Sequence, residues 1–314
     1  MGRRLPRLPR DDRTPPGDTV TIDPNLPQPD AGVPGPGVDA PLFAAHLEEG
    51  LDNALRTFTA AGTIVVALDF DGALAPIVLD PTTSAMLPLS AQAVADLTTL
   101  PGVEVVLVSG REAGDLVALA GLPAGTRVIG SHGAQWGRAV DSPDGGTVLD
   151  ADPVDLTTEQ AELRARLLRE TEELAATVEG AWVQAKPAAV VLHTRPAAPA
   201  DGERLTRAVL DGPAAHDGVH VVVGKEVVEM AVLEVTKGDA LVQLRSAVGA
   251  EAVLYAGDDT TDEDAFAVLA EPDVSIKVGD GDTAAAYRVA DPEELSAVLV
   301  RLVELRRATS VTPS

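Results

Sequence analysis

Val65-Val66-Ala67-Leu68-Asp69-Phe70-Asp71-Gly72 is an apolar, β-branched run that ends in two aspartates two residues apart and then a glycine. That composition suits a strand buried on both faces of a parallel sheet. Open parallel sheets carry their chemistry at the carboxyl ends of the strands, so Asp69 and Asp71 are expected in that crevice. Gly72 would let the backbone turn sharply away from it. The same letters also fit a simple turn, with Asp69 capping it and Asp71-Gly72 forming it, and D-x-D-G occurs in calcium loops as well. The partners of this stretch elsewhere in the chain must decide.

The chain is long enough for one large or two ordinary domains. It is 45% hydrophobic but only 3% aromatic, so its core must be built from Ala, Val and Leu. With 24 basic against 49 acidic residues the net charge is −25, which argues against nucleic-acid or anionic-membrane surfaces. There is no cysteine, so disulfides, thiolate zinc sites and cysteine nucleophiles are excluded. No apolar run approaches the ~20 residues of a membrane span, and the basic N-terminus has no apolar segment behind it to make a secretory signal. The expectation is a soluble, cytoplasmic protein.

Residues 1–41 hold 10 of the 24 prolines and show no apolar periodicity, which reads as a disordered leader. Helical spacing of Leu42, Phe43, Leu47, Leu51, Leu55 and Phe58 predicts a helix ahead of the first strand. Ser90 can cap a second helix, and Val103–Val108 is a strand running into Ser109-Gly110-Arg111. A helix through Ala120 and a strand Arg127–Ile129 follow. This rhythm predicts an α/β fold with a doubly wound parallel sheet, Rossmann-like, over residues 42–137. A long amphipathic helix at 156–178, strands at 181–195 and 220–223 and a helix near 203–210 predict a smaller inserted α+β domain over 138–225. The βα rhythm then resumes over 226–307, with helices at 236–248, from Thr261, at 283–287 and at 292–307, before a polar tail at 308–314.

Four polar sites fall at strand ends or helix starts of this sheet: Asp69 with Asp71, Ser109-Gly110-Arg111, Lys237, and Asp258-Asp259 with Asp262. Clustered carboxylates without histidine or cysteine suit a hard, oxygen-seeking ion such as magnesium. A hydroxyl, a glycine amide at a helix start and a lysine are what a bound phosphate requires. An aspartate beside the metal could attack phosphorus to give an acyl phosphate, and a second carboxyl could protonate the leaving oxygen and then activate water. Singly, each has a plainer reading: Ser109 as a helix cap, Lys237 as a solvated helix-start lysine, 258–264 as an acidic first turn favoured by the helix dipole. Together, in this order on alternating β and α elements, they point to phosphoryl transfer.

The stretches DFDGALAP (69–76), LVSGR (107–111), the lysine of TKGDAL (Lys237) and GDDTTDEDAF (257–266) resemble the four ordered motifs of the haloacid-dehalogenase-like phosphatases. The form of the last motif, GSHG at 130–133, the K-x5-L-H-x-R run from Lys186 to Arg195 and the GK-x3-E run from Gly224 to Glu229 resemble the trehalose-6-phosphate phosphatases in particular. The resemblance spans roughly 42–307. It implies a haloacid-dehalogenase-type core with an inserted cap, and hydrolysis of trehalose 6-phosphate with magnesium through an aspartyl-phosphate. The related alternatives are another sugar phosphate, such as sucrose or mannosylglycerate phosphate, or a non-catalytic regulatory subunit. By position, Asp69 is implied as nucleophile and Asp71 as general acid/base. Magnesium would sit on Asp69, the Asp71 carbonyl and Asp258, with Asp259 and Asp262 behind. Ser109 and Lys237 would bind the phosphoryl group. Gly110, Arg111, Ser131, His132 and Gly133 would line the core side of the sugar pocket, and Lys186, His193, Arg195, Lys225 and Glu229 the cap side. Gln184 and Thr194 stand where the family commonly has Glu and Tyr, removing a charge and a possible stacking ring. Core plus insertion fill the chain between its tails, so a separate trehalose-6-phosphate synthase is the expected functional partner.

Overall fold

The computed structural model describes residues 48–310. The predicted leader at 1–41, the first turn of the predicted helix (Leu42, Phe43, Leu47) and the end of the tail at 311–314 lie outside them. Two sheets are formed, one of eight strands and one of four.

The strand β1 (Ile64–Leu68) is buried along its whole length. Successive side chains of a strand point to opposite faces, and β1 feeds two separate cores. Ile64, Val66 and Leu68 join one apolar cluster with Leu51, Leu55 and Phe58 of α1 (Glu49–Thr59), Val94 and Leu97 of α2 (Pro88–Thr98), Leu116 of α3 (Ala113–Ala120) and Leu299 and Leu302 of α8 (Pro292–Ser310). Val65 and Ala67 join the other, with Leu241 and Leu244 of α6 (Lys237–Val248) and Phe266 of α7 (Glu263–Ala267). Helices thus cover both faces, and the α/β doubly wound architecture read from the sequence is the one observed.

On one side of β1 lie β10 (Ala252–Gly257), β11 (Val274–Val278) and β12 (Tyr287–Val289), and on the other β2 (Val103–Val108) and β3 (Arg127–Gly130), all parallel. The antiparallel β4 (Gln135–Asp141) and β5 (Thr147–Ala151) extend this sheet beyond β3. The smaller sheet is antiparallel, ordered β6 (Trp182–Ala185), β7 (Ala189–His193), β9 (Val227–Ala231), β8 (His220–Gly224). One of its faces packs Val190, Leu192, Val228 and Met230 against Leu167 of α4 (Thr158–Ala175) and Leu205 and Val209 of α5 (Pro199–Asp211).

Several local expectations change. The sheets part at different residues from 138 and 225: the 135–151 hairpin bonds to β3 in the large sheet, and β9 at 227–231 lies in the small one. The run 181–195 is two strands, closed by a Lys186–Ala189 backbone pair at 2.9 Å. Ser90 does not cap α2. Pro88 opens that helix, as a residue lacking an N–H can, and the Ser90 hydroxyl meets Ser296 of α8 at 2.7 Å. No helix forms at 283–287, because Glu263 and the Ser275 hydroxyl take the amides of Ala284 and Ala286 that a helix would use.

Candidate active site

Asp69 leaves β1 with its amide bonded to the Ala256 carbonyl of β10 at 2.9 Å, which sets the carboxylate above the strand ends. Lys237 is the first residue of α6. That helix starts there because the Thr236 hydroxyl accepts the Asp239 amide while the Asp239 carboxylate accepts the Thr236 amide, a reciprocal capping box. The fixed helix start sends the Lys237 ammonium to Asp69 Oδ1 at 2.7 Å and Asp262 Oδ1 at 2.6 Å. The Tyr255 hydroxyl donates to the same Asp262 oxygen at 2.6 Å. All four side chains are buried. Burial pushes the Asp69 carboxyl up while the Lys237 charge opposes it. Burial draws Lys237 down, but Asp69 and Asp262 outweigh it, and the ammonium is held above the ordinary lysine value.

Asp71 faces the other way. Its carboxylate is gripped by both arms of the Arg111 guanidinium, Nη2 to Oδ1 at 2.7 Å, and accepts the Ser84 hydroxyl at 2.9 Å. Arg111 thus lines the core side of the site with its guanidinium committed to Asp71. Ser109 is buried, and its hydroxyl accepts the Arg111 amide at 3.1 Å, closing the turn after β2. Asp69, Asp71, Ser109, Gly110, Arg111, His132, Lys237, Asp258 and Asp259 all line one cavity of about 630 Å³.

Carboxylate oxygens of Asp69, Asp258 and Asp262 lie within 4.8 Å of one another. Asp262 is already engaged by Lys237, Tyr255 and, through Oδ2, the Asp259 amide at 2.9 Å. Burial first, then the like charges of Asp262 and Asp259, push Asp258 up to about 6. Gly72 makes room for it: a Cβ there would lie 2.0 Å from Asp258 Oδ2. A hard divalent cation fits this donor set: Asp258 and the Asp69 oxygen that Lys237 does not engage would hold it, while Asp262 braces the lysine.

On the far side, the His132 ring lies over Gly110, where a Cβ would come within 2.5 Å of it. Ser131 and His132 both adopt positive φ, and their amides bond the Arg111 and Ser109 carbonyls at 2.7 and 3.0 Å, which joins the loops after β2 and β3. Gly133 packs against Thr236. Ser131, His132, Lys186, Glu229 and Lys237 line an adjoining cavity of about 220 Å³ between the two sheets. Lys186 pairs with Glu229 at 2.9 Å. His193 stacks on Trp182. Gly133, His193, Arg195 and Lys225 line neither cavity; Arg195 is exposed and reaches Glu226 at 3.4 Å. Burial, and then the Lys237 charge, hold His132 below the ordinary histidine value of 6.5. A histidine so depressed binds its proton more readily unfolded, so its contribution to stability is present above that value and fades below it. Thermal unfolding followed from about pH 7.5 to about pH 5 should show this loss, and His132→Gln should flatten the slope.

The model of the trehalose-phosphatase family matches residues 67–293, most of the described chain. The chain belongs to the trehalose-phosphatase family. It is 34% identical over 254 residues to a trehalose-phosphate phosphatase of Mycobacterium avium, covering 76% of this chain and 62% of that one. It is 30% identical over 262 residues to a bifunctional trehalose-6-phosphate synthase/phosphatase of Thermoproteus tenax, covering 82% of this chain and 34% of that one. The chain thus spans between a third and about two thirds of the length of these relatives. A crystal structure described as a trehalose-6-phosphate phosphatase related protein superposes with a TM-score of 0.58 at 27% identity, over 78% of this chain and 99% of that one.

Three supports of this site carry little or no signal in the sequence. Tyr255 sits in the buried run of β10, where nothing local marks its hydroxyl as a donor to the site. Lys277 is buried in β11 and bonds the Asp258 carbonyl; its signal is the one charge in the strand run VSIKV. Ser84 lies in a loop with no local pattern. Tyr255→Phe should destabilise the fold by about 2 kcal/mol in denaturant unfolding, because the Asp262 carboxylate loses a buried donor.

Proposed function

We propose that this chain is a phosphatase that hydrolyses trehalose 6-phosphate to trehalose and phosphate through an aspartyl-phosphate on Asp69. The observation that carries this reading is Lys237 lodged between Asp69 and Asp262, with Asp258 and Ser109 opening on the same cavity. Lys237 fixes the Asp69 carboxylate so that one oxygen faces the cavity, as an attacking nucleophile requires. Asp69, the Asp71 main-chain carbonyl and Asp258 would hold magnesium, which would supply charge neutralisation at the phosphoryl oxygens. Ser109 and Lys237 would bind those oxygens. Asp71 would protonate the leaving sugar oxygen and then take a proton from water, which requires substrate to displace Arg111 from its carboxylate. Lys186, Glu229 and His132 would meet sugar hydroxyls, since polar groups buried without partners are costly. A cytoplasmic setting and a trehalose-6-phosphate synthase as functional partner belong to the same proposal; among the described residues no helix is long and apolar enough to cross a membrane.

The test is phosphate release from a panel of trehalose, sucrose, glucose and mannosylglycerate phosphates at equal concentration, with and without magnesium. Preference for trehalose 6-phosphate supports the assignment. Preference for another member moves the substrate, and release unaffected by chelation removes the metal.

A further inference from the structure

The face of the small sheet turned toward the core carries contacts that the phosphoryl chemistry does not use. Trp182 and His193 stand directly opposite each other on β6 and β7, and their rings stack with centroids 3.9 Å apart and planes within 7°. Gln184 lies two residues along β6, so on the same face, and diagonal to His193, within reach across an antiparallel pair. Its Oε1 is 3.1 Å from His193 Nε2. Its Nε2 donates to Glu112 Oε2 of the core at 3.1 Å. Glu112 stands at the head of α3, next to the Arg111 that grips Asp71. Four side chains therefore run unbroken from the small sheet to the edge of the catalytic cavity.

The chemistry of the atoms fixes each direction. An ionised carboxylate only accepts, so the amide nitrogen of Gln184 must face Glu112. The amide oxygen then faces the imidazole and can only accept, so His193 Nε2 must carry a proton and Nδ1 the lone pair. An amide meets both demands at once. A carboxylate at this position would oppose Glu112 with like charge, and an apolar side chain would leave two partly buried groups unpaired. Trp182 covers one ring face of His193 and limits its rotation.

We propose that Gln184 is a positioning residue that latches the small sheet to the core through Glu112 and holds His193 in its Nε2–H tautomer against Trp182. The role assigned to His193 rests on the phosphatase reading; the latch itself does not.

The experiment uses the full chain with Glu173→Cys and Gln92→Cys, one exposed site on α4 and one on α2, as a spin-label pair. The chain has no cysteine of its own to interfere. Interlabel distance distributions and steady-state kinetics are measured for the parent, Gln184→Glu, and Gln184→Glu combined with Glu112→Gln. Gln184→Glu should lengthen or broaden the distribution and raise KM about tenfold, with a smaller change in kcat. The double variant restores one amide against one carboxylate, so both readouts should return to the parent's. A merely structural defect at 184 would not be repaired from 112. The latch is overturned by an unchanged distribution in Gln184→Glu, or by a double variant no better than the single one; an unchanged KM beside a shifted distribution overturns the role given to His193. A distance shift that the double variant reverses, in a protein that releases phosphate from no sugar phosphate, would sink the phosphatase reading and leave the latch standing.

Discussion

Asp69→Asn should abolish phosphate release, by at least about 10⁴-fold in kcat, while leaving the fold intact. The two side chains have the same shape, and the amide oxygen can still accept the Lys237 ammonium now 2.7 Å from Oδ1. Lys237 also keeps its second partner, Asp262 at 2.6 Å. What is lost is the charged oxygen that would attack phosphorus. Two measurements check this together: phosphate release from trehalose 6-phosphate, and thermal unfolding of the same preparation. Acid-stable label on the parent after quenching, absent in the variant, would locate the covalent step. Full turnover by Asp69→Asn would refute the aspartyl-phosphate mechanism.

Lys237→Met should cost both activity and stability. The ammonium lies between two buried carboxylates, Asp69 and Asp262, and is itself only 3% exposed. Removing one partner of a buried ionic group leaves uncompensated charge, typically worth about 3–5 kcal/mol. The pH dependence has a definite sign. Burial already pushes Asp69 up, and Lys237 is the group that opposes it. Without Lys237, the folded carboxylates bind protons more readily than the unfolded ones, so stability rises as pH falls. Urea unfolding at about pH 7.5 and about pH 5.5 should show the deficit shrinking at the lower value. A variant as stable as the parent at the higher pH would show that the lysine does not neutralise this cluster.

The doubly wound core was legible because its signal is local. A strand buried on both faces must be apolar throughout, as Ile64–Leu68 is, and motif residues at strand ends need no long-range information to be placed there. The orientation of side chains was not legible. Nothing in the sequence pairs Arg111 with Asp71, sends Tyr255 to Asp262, or puts Lys277 beneath Asp258, because each bond joins elements brought together only by the sheet order. The sheet boundary was missed for a related reason. The 135–151 hairpin has the half-exposed alternation of an edge, which fits either sheet until the pairing with β3 is known.

Gln184 makes the same distinction within one residue. Read along the chain, it is a lost charge; in three dimensions it is an amide with a carboxylate on one side and an imidazole on the other. By itself the sequence determined the architecture, the family and the residues that gather around Asp69-Phe70-Asp71-Gly72, since these follow from periodicity and ordered motifs. Only the tertiary structure decided which charges meet, that Asp71 is held by Arg111 while Asp69 is held by Lys237, and that His193, Arg195 and Lys225 stand outside both cavities. The physical reason is that contact between charges falls off over a few ångströms, and distances of that size between remote segments exist only once the chain has folded.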